Sequence, residues 1–239
     1  MTPLQRTFRR RALRVFGRLP LGAVLMLVAL RLDAQSGGAG AQPQHLTGGN
    51  EGKRPVGWQV RYDAGPERAQ STDSISFVQM TPGFHVTTGA AAIMWHADST
   101  ARGDFTLEGS MFLFPTNGRD QEGYGILLGG ADLGGPTQRY TYFLLRNDGR
   151  FLVKQRRGDA FTTLVDWKEL PAIKRQAGGD AMKNDLRVEV QGGTVRFLVN
   201  GALATVLPRA QVNPDGIFGL RINHRVNAHV VSVGRPKAP

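Results

Sequence analysis

The sequence predicts an all-β fold, a two-sheet antiparallel jelly-roll sandwich, and three observations carry that expectation. From residue 56 onward, short alternating or apolar runs are separated by Gly, Asn, Asp and Pro, with no long stretch of helical period. Two turn sequences suited to tight hairpins, Asn147-Asp148-Gly149 and Gln191-Gly192-Gly193, each join two such runs. Ten strand segments follow one another over roughly 150 residues, a density that suits a sandwich.

In chain order the segments are 84–87, 91–95, 104–114, 123–128 and 140–146, then 151–155, 184–190, 194–199, 216–223 and 228–233. The Asn147-Asp148-Gly149 turn joins the fifth to the sixth, with Gly supplying positive φ. Gln191-Gly192-Gly193 joins the seventh to the eighth, and Asn200-Gly201 turns the eighth back onto residues 203–206. Alternation assigns faces within a strand, with Leu186, Val188 and Val190 toward the core and Arg187, Glu189 and Gln191 away from it. Leu220 and Ile222 likewise oppose Arg221 and Asn223. The one helical candidate is 170–175, interrupted by Pro171. Without helices between the strands, parallel βαβ architecture and its nucleotide sites are excluded. The pairs Gly129-Gly130 and Gly134-Gly135 precede no Gly-Lys-Ser/Thr and form no phosphate loop.

The chain has 239 residues, and 30 Lys and Arg against 19 Asp and Glu give a formal charge of +11. That charge is unevenly placed. Seven arginines and one acid, Asp33, lie in the first 41 residues, a local balance of +6 that leaves +5 for the rest. Nucleic acid is therefore not an expected partner. Zero cysteines exclude disulfides, thiolate zinc sites and a cysteine nucleophile, and 41% hydrophobic residues supply a real core.

Residues 1–18 are basic and free of acids, and an apolar run interrupted only by Pro20 and Gly22 follows over 19–30. These are the n-region and h-region of a signal peptide. An apolar run of this length rises about 18 Å, short of the roughly 30 Å hydrocarbon core, so no stable membrane span is expected after cleavage. Ala39-Gly40-Ala41 and Ala34 offer cleavage sites; Arg9-Arg10-Arg11 also fits a twin-arginine signal, and an uncleaved anchor is the alternative. The expected organisation is a signal peptide and cleavage region over 1–41, a flexible Gly/Ala/Gln/Pro linker over 42–55 and a β-sandwich over 56–235. Its expected location is extracytoplasmic, periplasmic or secreted.

Five motifs stand in a suggestive order: Gly123-Tyr124-Gly125-Ile126-Leu127-Leu128-Gly129-Gly130, Tyr140-Thr141-Tyr142-Phe143 through Asp148-Gly149-Arg150-Phe151, Asn184-Asp185-Leu186-Arg187-Val188, Val199-Asn200-Gly201, and Gly216-Ile217-Phe218-Gly219-Leu220-Arg221. In this order the chain resembles the concanavalin A-like lectin/glucanase sandwiches. It is most similar to bacterial secreted domains related to the 3-keto-disaccharide hydrolase family and to laminin-G-like modules. The resemblance implies a jelly roll whose concave sheet presents polar and aromatic side chains to a carbohydrate. It departs from the glycoside hydrolases of this fold in lacking Glu-x-Asp-x-Glu, because Glu108 has no carboxylate at i+2 or i+4. Glu108 is the one weak catalytic candidate, and a pair would need Glu189 or Asp185 from another strand.

The resemblance points to Arg221 and Asn223 for sugar contacts, with Tyr124, Tyr142 and Arg146 on alternating positions beside Tyr140. His85, His96 and His224 lie near strands; their spacing supports no metal site, and His85 and His224 are ligand-facing candidates. Trp95 and Trp167 are candidates to cap a cleft, and Lys154-Gln155-Arg156-Arg157 reads as a solvated edge. No cofactor and no metal are expected. The leading functional expectation is an exported lectin-like carbohydrate-binding domain; a hydrolase of a modified disaccharide and a purely structural envelope module are the alternatives.

Overall fold

The computed structural model describes residues 54–63 and 75–236, so the expected signal peptide and nearly all of the expected linker lie outside the described residues. In chain order the elements begin β1 (Trp58–Tyr62), β2 (Ile75–Gln79), β3 (Phe84–Thr88), β4 (Ala92–Ala101), β5 (Phe105–Leu113), β6 (Tyr124–Ala131) and β7 (Arg139–Leu145). They continue with β8 (Arg150–Arg157), β9 (Ala160–Glu169), β10 (Met182–Gln191), β11 (Thr194–Val199), β12 (Ala202–Pro208), α1 (Arg209–Val212), β13 (Gly216–Ile222) and β14 (Asn227–Gly234). Two seven-stranded antiparallel sheets result, the first ordered β1-β4-β13-β6-β7-β8-β9 and the second β12-β11-β10-β5-β14-β3-β2.

The inner faces of the two sheets meet in one core. Met94, Ile126, Phe143, Phe151, Leu220 and Ile222 from the first sheet pack against Val86, Leu107, Met111, Val188, Phe197 and Ala228 from the second. Period-two alternation produces it directly, as in β5, where Phe105, Leu107, Met111 and Leu113 are buried while Glu108, Ser110 and Phe112 between them are half-exposed. Full burial of each such side chain contributes about 1.5–3 kcal/mol.

Three strands differ from the sequence expectation. β1 and β2 are short and irregular in hydrophobicity, and β9 is an edge strand whose mostly exposed residues show no clean alternation. Its pairing with β8 slips around Val153, and such a slip erases a period of two. The helical candidate at 170–175 forms no helix: the segment crosses irregularly from β9 to β10, with Ile173 buried in the core.

That crossing is held by one buried side chain. Asn184, fully buried on β10, accepts from the Lys174 amide at 2.9 Å and donates to the Lys174 carbonyl at 2.9 Å and the Tyr124 hydroxyl at 3.1 Å. Asn200 donates to Asn184 at 2.8 Å and to the Ala172 carbonyl at 2.7 Å. These side chains supply the backbone partners that a helix would have supplied internally.

The first sheet is curled toward its outer face. Asp63 follows β1 and its amide donates to Ala91 just before β4, while Arg156 lies on β8, four strands from β4. In a flat sheet that is about 19 Å, far beyond the combined reach of the two side chains. Yet Arg156 Nη1 is 3.0 Å from Asp63 Oδ1. The sheet therefore bends into a trough, and its outer face is the concave one. Gly219 sits where the pairing of β13 shifts register on both sides, and a Cβ there would collide with the Met94 carbonyl.

Candidate functional site on the concave face of the first sheet

Strand register assembles the trough in rows. Trp95, Gly219, Leu127, Tyr142, Lys154 and Thr163 lie side by side across β4, β13, β6, β7, β8 and β9. A neighbouring row runs from Arg61 through Ile93, Arg221, Gly125 and Leu144 to Leu152, and a third pairs Tyr140, Arg156 and Phe161. Ile93, Trp95, Leu127, Tyr140, Tyr142, Leu144 and Leu152 form a second apolar cluster, separate from the inter-sheet core. Leu133, from the loop between β6 and β7, joins this cluster and is itself buried.

A carboxylate held by two guanidiniums lies on this apolar floor. Arg221 Nη1 donates to Asp63 Oδ1 at 2.6 Å, its Nη2 donates to Oδ2, and Arg156 completes the clamp. Arg221 is only 6% exposed and its guanidinium stands 5.7 Å from the Tyr142 ring centre. With its amide oriented to satisfy its neighbours, the Gln138 carbonyl accepts from Arg61 at 3.0 Å and from Arg156 at 3.0 Å. Arg61 also donates to the Leu133 and Gly135 carbonyls, which ties β1 to the β6–β7 loop across the trough.

Burial alone would raise the Asp63 carboxyl. The hydrogen bond and charge of Arg221, then the charges of Arg156 and His224, outweigh burial and hold Asp63 below its ordinary value. Burial pushes the Tyr142 hydroxyl up to about 12 and raises Tyr140 as well, so both present neutral phenols. Two polar atoms here lack a hydrogen bond of ordinary geometry, Arg221 Nε and the Tyr140 hydroxyl, the latter beside Arg156.

The open side of the trough lies along β8 and β9. Phe161 is 46% exposed and takes the Lys154 ammonium at 5.2 Å and the Arg156 guanidinium at 5.0 Å from its ring centre. Half-buried Trp167 packs on the apolar cluster and stacks with Arg146 at 4.2 Å, while Arg146 also pairs with Asp148.

The structure distributes the sequence candidates over both sheets. Tyr142, Arg146 and Arg221 share the trough, and exposed His224 stands at its end, 4.0 Å from Glu122. Asn223, just beyond β13, uses its backbone to bond Gly123 and Thr88. Tyr124 does not belong with them: it is 1% exposed, lies in the inter-sheet core and is paired by Asn184. Alternation within β7 says nothing of the phase of β6, and Tyr124 stands opposite inward-facing Leu145.

His85 is on the outer face of the second sheet, beside Asn227 and 4.8 Å from the Phe114 ring. Glu108 is on that face too, in a cross-strand ladder with Arg187, Glu189 and Arg196, and so on the opposite side of the sandwich from the trough. Removing an exposed rung of this ladder has little effect on stability: Arg187→Ala is expected to change it by less than about 1 kcal/mol in a urea titration.

Sequence reasoning missed Asp63, Gln138 and the burial of Arg156. The basic stretch 154–157 is no solvated edge, because β9 covers β8 and Arg156 is 7% exposed. The signal was its alternation, Lys154 and Arg156 pairing with Tyr142 and Tyr140. Among the described residues no cluster of three His, Asp or Glu could hold a metal, and no helix is long and apolar enough to cross a membrane.

No family model matches the chain, and no curated protein matches it. Solved structures do. The carbohydrate binding module CBM66 from Bacillus subtilis is similar over 76% of this chain and 96% of its own, with 13% identity and a TM-score of 0.55. A GH16 protein from a Bacteroides ovatus mixed linkage glucan PUL, solved in complex with a G4G4G3G product, matches over 75% of this chain and 94% of its own at 9% identity and TM-score 0.51. A Bacillus subtilis protein of unknown function with a galectin-like fold matches over 74% and 86% at 12% identity, also with a TM-score of 0.51. At these identities the likeness is one of fold, and that fold is the concanavalin A-like lectin/glucanase sandwich.

Proposed function

We propose that this chain is an exported, lectin-like module that binds a carbohydrate in the trough of its first sheet and performs no chemistry on it. The observation that carries the reading is the convergence, on one concave face, of aromatic rings with a guanidinium–carboxylate network. Rings stack on the apolar faces of sugars, while charged hydrogen-bonding groups fix the orientation of hydroxyls. The saccharide lies along β8 and β9, where Phe161, Trp167, Lys154 and Thr163 are accessible, and extends toward the Arg221–Asp63–Arg156 clamp. Neighbours of the same fold include a carbohydrate binding module and a GH16 protein carrying a glycan product, which supports this class of ligand.

The clamp favours binding over hydrolysis. A glycosidase needs two carboxyl groups about 5–10 Å apart, one of them protonated. Asp63 is held ionised by two arginines, and Glu108 stands on the other sheet. Calorimetric titration against a polysaccharide panel tests the reading. Trp167→Ala and Phe161→Ala are each expected to weaken binding by about tenfold, whereas Glu108→Gln leaves it unchanged, with no reducing sugar released by any form. Absence of binding to every polysaccharide, or release of reducing sugar, contradicts it. Export rests on the basic and apolar segments within 1–41, and cell fractionation with N-terminal sequencing tests it: a mature chain beginning near residue 35 or 42 is expected, and an intact cytoplasmic chain contradicts it.

A further inference from the structure

The trough carries more positive than negative charge, and the excess is placed where a ligand can reach it. Asp63 serves both Arg221 and Arg156, and Arg146 has Asp148. Asp159 lies 3.7 Å from Arg156 on a fully exposed side chain, where solvent screens it. Among the described residues Lys154 and Arg61 pair with no acid. The Lys154 ammonium rests over the Phe161 ring and has no carboxylate partner among the described residues. Among the described residues Arg61 bonds neutral groups, the carbonyls of Leu133 and Gly135 and the side chain of Gln138. Arg221 Nε and the Tyr140 hydroxyl are buried in the floor of the trough, so the excess that a ligand can reach lies at the open edge, with Lys154 foremost. At that edge donors exceed acceptors, which suits a ligand rich in acceptors.

We infer that the trough selects an anionic glycan, one whose sugars carry carboxylate or sulfate groups, and that Lys154 is the residue that reads the charge. The inference rests on the saccharide reading above and deepens it. Neutral hydroxyls both donate and accept and would leave the excess donors half used, whereas a carboxylate or sulfate only accepts. Phe161 holds the ammonium at the open edge of the sheet, so that a negative group on a sugar stacked along β9 meets it directly.

The test compares polygalacturonate with neutral galactan, dextran sulfate with neutral dextran, and polyglutamate as a polyanion without sugar. The full chain is titrated by calorimetry at low and at physiological salt. At least one anionic glycan is expected to bind about tenfold tighter than its neutral counterpart, with affinity falling as salt rises. Which of the two anionic polymers does so distinguishes carboxylate from sulfate. Lys154→Met, which keeps the apolar stem over Phe161, is expected to cost about fivefold on that polymer, clearly more than on its neutral counterpart, and to flatten the salt dependence.

Equal affinity for charged and neutral members of both pairs overturns the inference and leaves the saccharide reading standing. Polyglutamate binding as tightly as the glycan, or Lys154→Met weakening both members of a pair equally, also overturns it. Failure of every polysaccharide to bind defeats the saccharide reading itself, and this inference with it.

Discussion

Asp63→Asn is expected to destabilise the protein by about 3–5 kcal/mol, because it leaves two almost fully buried guanidiniums without their shared counter-ion. For a domain of this size that lowers the melting temperature by about 10 °C or more. Arg221→Met is expected to cost less, since Asp63 keeps Arg156 and is itself partly solvated. This order, with the carboxylate worth more than either arginine, distinguishes a shared clamp from two independent ion pairs. Thermal melts of the two variants decide it.

The same clamp sets an acid limit. The folded Asp63 carboxyl lies below its ordinary value of 3.8, so its contribution to stability is complete above that pH and is lost as pH falls through the folded value. Stability of the natural protein is therefore expected to fall more steeply below about pH 4 than that of Asp63→Asn, which has no such group to protonate. Parallel curves for the two proteins would mean that the clamp does not act as a charged unit.

Asn184→Leu is the second large effect, about 3 kcal/mol, since it strands the buried Tyr124 hydroxyl and removes the partners of the partly buried Lys174 amide and carbonyl and of the Asn200 side chain. The loss is local before it is global. Hydrogen exchange at the Lys174 amide is expected to rise well before exchange in β10 or β5, because Asn184 supplies that amide's partner and sheet pairing protects the rest. Unchanged protection at Lys174 would show that the crossing segment is held by packing of Ile173 instead.

Much of the architecture was legible in the chain because alternation and turn chemistry are local properties. Residues 147–149 and 191–193 form the tight turns that their Gly and Asn content implies, and Leu186, Val188 and Val190 lie on the core side of β10. β9 escaped because an edge strand with a slipped register has no periodic signature. The 170–175 crossing escaped because Asn184 and Asn200 determine it from another strand, and no local pattern records that.

Arg221, Tyr142 and Arg146, expected from alternation and resemblance to share one face, do lie together on the concave face. Tyr124 was misplaced because the phase between neighbouring strands is set by pairing. Asp63 was invisible for a stronger reason: its partners are 93 and 158 positions away in the chain, and only the curl of the sheet brings Arg156 to it.

The most direct test of the account is to locate the ligand on the protein by backbone and indole chemical-shift mapping with the tightest-binding oligosaccharide. Saturable shifts of the Trp167 indole and of the amides around Lys154, Phe161 and Thr163 are the predicted result. Shifts confined to the outer face of the second sheet, around Glu108, Arg187 and His85, would contradict it.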